Sequence, residues 1–401
     1  MVRVILALAI LAVLLLAGGY AVLAHTGPES LPAPSGTYRV GRVQQDWVDQ
    51  SRMDALAGAS TTPRRLAIWI WYPAAVTAAS RPAPYVPAAW QNAQNDTGGP
   101  RRLSLDTLLT AIVRTGTPES HAYTGVPVAS SPGPYPVLLM QPGLGPAIPD
   151  YTAYAENLAS HGYVVVGINE PDSSNLVAFA DGSVARVTAR GSIPDRASQA
   201  ASESDANAIG RVWVDDATFV LGRLQSVDGD ASSPFYRRLD LGRVGLFGHS
   251  FGGATALAVC ERDARCRAGA DLDGNPVPDA EGAAVGRPFL FMSEGYPQGC
   301  ANDQNCRLLW QAYQQAGGPA YFISVAGSRH FNYSDVPLQY NALGRFVLAR
   351  TGAIGSIAPD RGLAIANAYL VAFFDRYVKG VDSPLLHAPA TFPEVKFSSK
   401  P

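Results

Sequence analysis

Lysine is nearly missing from this 401-residue chain: of its 31 basic residues only Lys379, Lys396 and Lys400 are lysines. There is no basic block and no regular Lys/Arg stripe, and the formal net charge is only −2. That removes the electrostatic footprint of a nucleic-acid-binding protein, so no nucleic-acid partner is expected. Cysteine is scarce as well, at four residues. Cys260 and Cys266 stand six apart, as do Cys300 and Cys306, too wide for a short zinc knuckle and with no histidine close by, so no metal site is expected. Long apolar runs are missing with one exception. Residues 4–24 are almost purely apolar, preceded by Arg3 and followed by His25-Thr26-Gly27-Pro28. About 20 such residues can span a bilayer as an N-terminal anchor, while Ala24, with Val22 two before it, permits signal cleavage. Both readings mean export, with a buried core helix as the alternative. No cysteine near the end of the run offers a bacterial-type lipid attachment point. An even cysteine count in an exported chain suggests two disulfides, with pairing inside each close couple favoured among three connectivities.

What is present is enough apolar material, 47% of the residues, for a sizeable core. After the segment 1–24 and a linker over 25–34, the pattern predicts one domain over 35–395. Alternation at 38–43 and 65–73 predicts two or three antiparallel strands, the last ended by Pro73. Residues 82–134 are rich in Pro, Gly, Asn and Ser, broken by one candidate helix at 103–115, and are expected to lie over the body as a cap or surface excursion. Then come a buried-strand run at 136–140, a helix at 151–160 closed by His161-Gly162, and a strand at 163–168 that is apolar on both faces. A polar insert at 172–206 reads as a loop or part of a lid, before a long amphipathic helix at 206–224. Further strands are expected at 244–247, 268–272, 288–292 and 321–325, with helices at 307–316 and 363–377. Strands alternating with helices over this length predict a doubly wound α/β domain with a predominantly parallel sheet.

The stretch VGLFGHSFGGATALA, 244–258, organises the rest. An apolar strand runs straight into Gly248-His249-Ser250-Phe251-Gly252, and a small-residue helix follows. With 39 glycines in the chain, a G-x-S-x-G pentapeptide arises by chance in about one such sequence in four. The strand before, the helix after and the extra Gly253 are what make it a nucleophile elbow, which holds a serine hydroxyl clear of the sheet edge. A nucleophilic Ser250 needs a base and a group to orient that base. His330 is the candidate base, because Ala326-Gly327-Ser328-Arg329-His330-Phe331 lies just past the last strand of the alternating series. His249 points elsewhere around the turn, His25 lies in the export segment, His161 ends a helix, and His121 and His387 sit in polar or terminal loops. For the acid, Asp273 and Glu294 both end strands, and Asp271 lies deeper in the first of them; residue patterns leave Asp273 and Glu294 open, with Asp273 ahead. An oxyanion hole needs two backbone N–H groups: Phe251, just after the serine, and Leu144, within Gly143-Leu144-Gly145 after the 136–140 strand, are the candidates.

These residues carry a resemblance. Trp71-Tyr72-Pro73, Tyr135-Pro136-Val137, Gly143-Leu144-Gly145, Leu158-Ala159-Ser160-His161-Gly162-Tyr163, the 248–253 elbow, Asp271-Leu272-Asp273-Gly274, Ser293-Glu294 and Gly327–Asp335 stand in an order and spacing similar to the plasma-type, secreted platelet-activating factor acetylhydrolases and their bacterial relatives, in the α/β-hydrolase superfamily. The resemblance covers about 35–336. It implies an α/β-hydrolase fold, a Ser250-His330-Asp273 triad, since this family takes its acid a little over twenty residues after the nucleophile, and oxyanion donors at Leu144 and Phe251. One departure stands out: relatives usually carry His-Gly before the Leu-Gly of the oxyanion loop, where this chain has Gln141-Pro142-Gly143, and a proline there has no N–H and stiffens the loop.

The combined expectation is a secreted or membrane-anchored serine ester hydrolase without metal or organic cofactor. The resemblance implies short-acyl or oxidised phospholipid esters, or other lipid esters, as substrates. A polyester or triglyceride lipase, an acyltransferase on the same fold and a non-catalytic envelope binding protein are the alternatives.

Overall fold

Strands Arg39–Met53 (β1) and Pro63–Ala74 (β2) form a long antiparallel pair in which Gln44 faces Trp69 and Arg42 faces Trp71. In this computed structural model the described residues are 10–11, 18–19, 30–58, 62–95, 113–114, 116–130, 133–194, 198–277, 284–295, 303–387 and 391–401. β2 joins the core of the sheet antiparallel to Val164–Asn169. Its alternating residues divide cleanly: Leu66, Ile68 and Ile70 enter one buried cluster, Ala67, Trp69 and Trp71 the other. Helix α1, Ala88–Asn95, docks Trp90 edge-on against Trp69. The part of the expected 103–115 helix at 103–112 lies outside the described residues.

From there the alternation predicted from the pattern is present. Tyr135–Gln141 (β3), Thr152–Ser160 (α2), Val164–Asn169 (β4), Gln199–Gly229 (α3), Leu239–His249 (β5), Phe251–Arg262 (α4), Cys266–Leu272 (β6), Phe289–Glu294 (β7), Gln304–Gln315 (α5) and Ala320–Val325 (β8) follow in sequence. Two further helices, Ala342–Arg350 (α6) and Pro359–Phe374 (α7), precede a last strand, Val395–Lys400 (β9). Strands lie in the order β9-β8-β7-β6-β5-β3-β4-β2-β1, with the short segments Tyr123–Thr124 and Arg81–Pro82 beyond β1. β3 to β8 are mutually parallel, and the antiparallel strands stand at the two sides. β3 explains why its sequence is apolar throughout: Val137 and Leu139 face one cluster, Leu138 and Met140 the other, and helices cover both faces. The chain therefore has the α/β-hydrolase arrangement.

Three expectations need correcting. The insert at 172–206 is not a plain loop: Val177–Ala178 and Val184–Ala185 pair as a small hairpin, and α3 begins at Gln199 because the Ser198 side chain accepts the Ala201 N–H at 3.3 Å. Helix α6 was not expected. β9 was not either; it pairs with β8 and carries the sheet past the expected end at 395. Cys260 and Cys266 form a disulfide. Cys306 is also disulfide-bonded, while Cys300 lies outside the described residues. The 4–24 segment lies almost wholly outside them too, and among the described residues no helix is long and apolar enough to cross a membrane.

Candidate active site

The parallel strands end at one rim of the sheet, and β5, β6 and the segment after β8 deliver their residues there. At the end of β5 the chain turns into α4 within one residue, which puts Ser250 at φ 55 and ψ −122. A side chain rarely adopts such a backbone, and the strain is sustained by the packing around it. That packing depends on glycine: a Cβ on Gly252 would sit 2.3 Å from the Gln141 carbonyl oxygen, and one on Gly248 2.4 Å from the Gly252 carbonyl carbon. The Ser250 N–H donates to the Leu272 carbonyl at 2.9 Å, tying the elbow to β6.

His330 and Asp273 meet Ser250. The hydroxyl lies 3.0 Å from His330 Nε2, and His330 Nδ1 lies 2.7 Å from Asp273 Oδ2. Asp273, at φ 61, is a second non-glycine residue in the left-handed region. Its other oxygen, Oδ1, accepts the Glu294 N–H at 2.8 Å. Burial alone would lower the His330 pKa, but the hydrogen bond and charge of Asp273, with Glu294 behind, reverse this and hold it above the usual histidine value. The two rival acids are occupied differently. Glu294 accepts from Arg329 Nη1 at 3.0 Å, and Asp271 is fully buried, accepting the Gly274 N–H at 2.8 Å. Burial pushes the Asp271 carboxyl well above its ordinary pKa.

The other described histidines have partners away from Ser250: His121 with Glu156, His161 with Ser35, His387 with Asp382. His25 lies outside the described residues. His249 is buried at the elbow, and burial, with His330 beside it, drives its pKa well below the usual value.

Phe251 opens α4, where the first N–H groups of a helix have no intrahelical acceptor. Across from it the loop after β3 comes down on the serine: a Cβ on Gly143 would lie 3.3 Å from Ser250 Cβ. The Gly143 N–H donates to the Tyr151 hydroxyl at 3.0 Å and the Gly145 N–H to the Ser173 carbonyl at 3.2 Å. Leu144 lies between these two engaged amides. At the end of β3, Gln141 is buried, its Nε2 donating to Glu170 Oε1 at 2.8 Å and to the Trp213 carbonyl at 3.1 Å. Glu170 in turn pairs with the buried Arg64, which also meets Asp54 and Asp216. The strand end that carries the loop is thus moored in a buried ionic cluster.

A cleft of about 270 Å³ opens over Ser250, Asp273 and His330, walled by Asn275, Glu294, Asn305 and Leu309. None of its described lining comes from the 82–134 excursion. Trp90 and Gln94 of that excursion line a separate cavity of about 470 Å³ bounded by Gly145 and Ala147. Among the described residues there is no group of His, Cys, Asp and Glu able to hold a metal ion. Sequence reasoning missed Tyr151, Asn275 and Asn305; they come from separate loops and helices, and no local spacing marks them.

The chain is similar to several known proteins. The family model "Platelet-activating factor acetylhydrolase, isoform II" matches residues 23–207 and 230–383. A probable 1-alkyl-2-acetylglycerophosphocholine esterase of Arthroderma benhamiae is 28% identical over 92% of this chain and 93% of its own length. The platelet-activating factor acetylhydrolase of Cavia porcellus is 26% identical over 62% of this chain and 58% of that protein. Among solved structures, a ferulic acid esterase from Streptomyces cinnamoneus superposes with a TM-score of 0.72 at 29% identity, covering 92% of this chain and 99% of that one.

Proposed function

Since the chain belongs to the platelet-activating factor acetylhydrolase family and is a carboxylic ester hydrolase, we propose that it cleaves short-acyl lipid esters by nucleophilic catalysis at Ser250. The observation that carries this is the continuous contact from Asp273 through His330 to a serine on a strained elbow. Ser250 Oγ attacks the ester carbonyl while His330 Nε2 takes its proton. The new oxyanion faces the N–H groups of Phe251 and Leu144, donors that need no reorganisation at the moment of reaction. Asp273 stays ionised, fixes the tautomer with Nδ1–H toward itself and stabilises the imidazolium. Collapse of the tetrahedral intermediate breaks the bond to the leaving oxygen, which takes the proton from His330. Water, deprotonated by the same imidazole, then attacks the acyl-serine, releasing the acid and restoring the hydroxyl.

Cleft size supports the short acyl group. At about 270 Å³ it falls just under the ~300–1,000 Å³ common for sites that enclose a drug-sized ligand. A site of this size favours an acetyl or a short oxidised chain over a long saturated one. The phospholipid character of the substrate rests on the relatives' names. Export is part of the proposal, supported by the apolar 4–24 segment and the Cys260–Cys266 disulfide, which persists in oxidising compartments. The test is a series of p-nitrophenyl esters from acetate to palmitate with the wild-type protein and Ser250→Ala. Turnover should fall with chain length and vanish in the variant; a variant that keeps most of the turnover refutes the assignment.

A further inference from the structure

Two buried titratable side chains at the rim have no part in the chemistry above: His249, the first variable member of the elbow pentapeptide, and Tyr151, in the single turn Ile148–Tyr151 before α2. They touch each other. His249 Nδ1 lies 2.8 Å from the Tyr151 hydroxyl, and the opposite ring nitrogen, Nε2, lies 3.0 Å from the backbone carbonyl oxygen of His330. The Tyr151 hydroxyl also receives the Gly143 N–H at 3.0 Å.

The donors and acceptors here can be arranged in only one way with a neutral imidazole. A carbonyl oxygen only accepts, so His249 Nε2 carries the hydrogen. The neutral ring then leaves Nδ1 as an acceptor, so the Tyr151 O–H points at it, and the phenol oxygen has its lone pairs free for the Gly143 N–H. Direction is set from end to end: Gly143 N–H to Tyr151 O–H to His249, and His249 N–H to the His330 carbonyl. Complete burial of both rings and the depressed basicity of His249 agree with the neutral form.

We propose that Tyr151 and His249 are positioning residues, a hydrogen-bonded strut that fixes the oxyanion loop and the His330 backbone relative to the elbow. The proposal rests on the reading of Ser250 as nucleophile. What makes the strut more than packing is where its ends attach. One end holds Gly143, and the peptide that follows carries the Leu144 N–H. Gly143 is wedged so closely that a Cβ there would lie 3.1 Å from His249 Nδ1, 3.3 Å from the Tyr151 hydroxyl and 3.3 Å from Ser250 Cβ. The other end holds the main chain of the residue whose ring is the base. Between them, His249 is covalently next to the nucleophile. Three stretches remote in sequence, 143–151, the elbow and the segment at His330, are therefore indexed to one another through two side chains, and this assigns a purpose to a histidine inside G-x-S-x-G.

Removing the phenol oxygen frees the Gly143 amide and leaves His249 Nδ1 unpaired. A displacement of the loop by about 1 Å is enough to cost ~100-fold in rate. Because the ground-state ester does not use the oxyanion donors fully, the loss falls on kcat and leaves KM nearly unchanged. The experiment combines Tyr151→Phe, His249→Gln and the double variant of the full chain, assayed on p-nitrophenyl acetate. A glutamine amide can still donate to the His330 carbonyl but gives Tyr151 no equivalent acceptor. Tyr151→Phe should lower kcat about 10- to 100-fold with KM within about threefold. Two cuts in one strut cost no more than one, so the double variant should stay within about threefold of the worse single variant. Tyr151→Phe that keeps more than half of kcat, or losses that multiply in the double variant, overturns the proposal. If His249→Gln does not fold, Tyr151→Phe alone decides. A readout independent of turnover separates this from the assignment of Ser250: nitrogen NMR of the His249 ring should report a protonated Nε2 and a bare Nδ1 down through pH 6. A ring protonated at Nδ1, or one that titrates like a free histidine, removes the strut whether or not the protein hydrolyses esters.

Discussion

Replacing Asp273 by asparagine separates geometry from charge more cleanly than any other change at the rim. Asp273 Oδ1 is held by the Glu294 N–H at 2.8 Å, and Oδ2 faces His330 Nδ1 at 2.7 Å. An asparagine keeps its carbonyl oxygen where the Glu294 N–H demands an acceptor, so its NH₂ group must face His330. The imidazole then turns to the tautomer with a bare Nδ1, and Nε2 presents a hydrogen to Ser250 where it should present a lone pair. The shape of the site survives while the base is disabled. Loss of the correct tautomer costs a serine triad ~10⁴ in kcat, about 5.4 kcal/mol of transition-state stabilisation. Steady-state hydrolysis of p-nitrophenyl acetate measures it directly. Glu294→Gln is the matched control, because that carboxylate is paired with Arg329 and reaches His330 only through its charge; its effect should stay within about threefold. Asp273→Asn keeping more than about a tenth of kcat, with Glu294→Gln losing ~10³, would refute the reasoning and move the acid to the next strand.

The remaining predictions concern the base, the elbow and the mooring of the oxyanion strand. His330 must be neutral to accept a proton, and its pKa is raised, so kcat/KM should climb with pH through a midpoint above 6.5; a rising limb centred below 6 contradicts the Asp273–His330 pairing. Gly252→Ala puts a Cβ 2.3 Å from the Gln141 carbonyl oxygen, which is backbone and cannot swing away, so urea unfolding should record a loss of about 3 kcal/mol or more. Arg64→Ala leaves Asp54 and Glu170 buried without their cation and Asp216 to Arg52, with an expected cost of about 3–5 kcal/mol in the same assay; a loss below about 1 kcal/mol would show that the cluster does not moor Gln141.

How far the chain could be read without coordinates follows from where the physical signal lies. β3, β4 and β5 are covered on both faces, so their apolar runs stand out, and glycines mark the turn at Ser250. His330 could be placed because it follows the last strand of the parallel series. The first turns of α3 were misread because 199–208 is mostly polar and buries none of its residues, and only the Ser198 cap announces the start. α6 buries Gly344 alone among its nine residues and leaves Leu343, Phe346 and Val347 exposed, so packing on the core does not define it. β9 is an edge strand whose Lys396 and Lys400 resemble a solvated tail, and its pairing with β8 is a long-range contact. The choice between Asp273 and Glu294 was open to residue patterns because both end neighbouring strands; the distinction lies in which carboxylate reaches the imidazole. The contacts among Gly143, Tyr151, His249 and His330 were invisible for the same reason, being made only in three dimensions.

The central claim, that Ser250 becomes transiently acylated, is tested most directly by quenching the protein with acid during turnover of p-nitrophenyl acetate and mapping the adduct by peptide mass spectrometry. An acetyl group on the peptide carrying Ser250, absent from the Ser250→Ala protein, is the predicted result. An enzyme that turns over the ester with the acetyl group on another residue, or with an undiminished rate in Ser250→Ala, would contradict it.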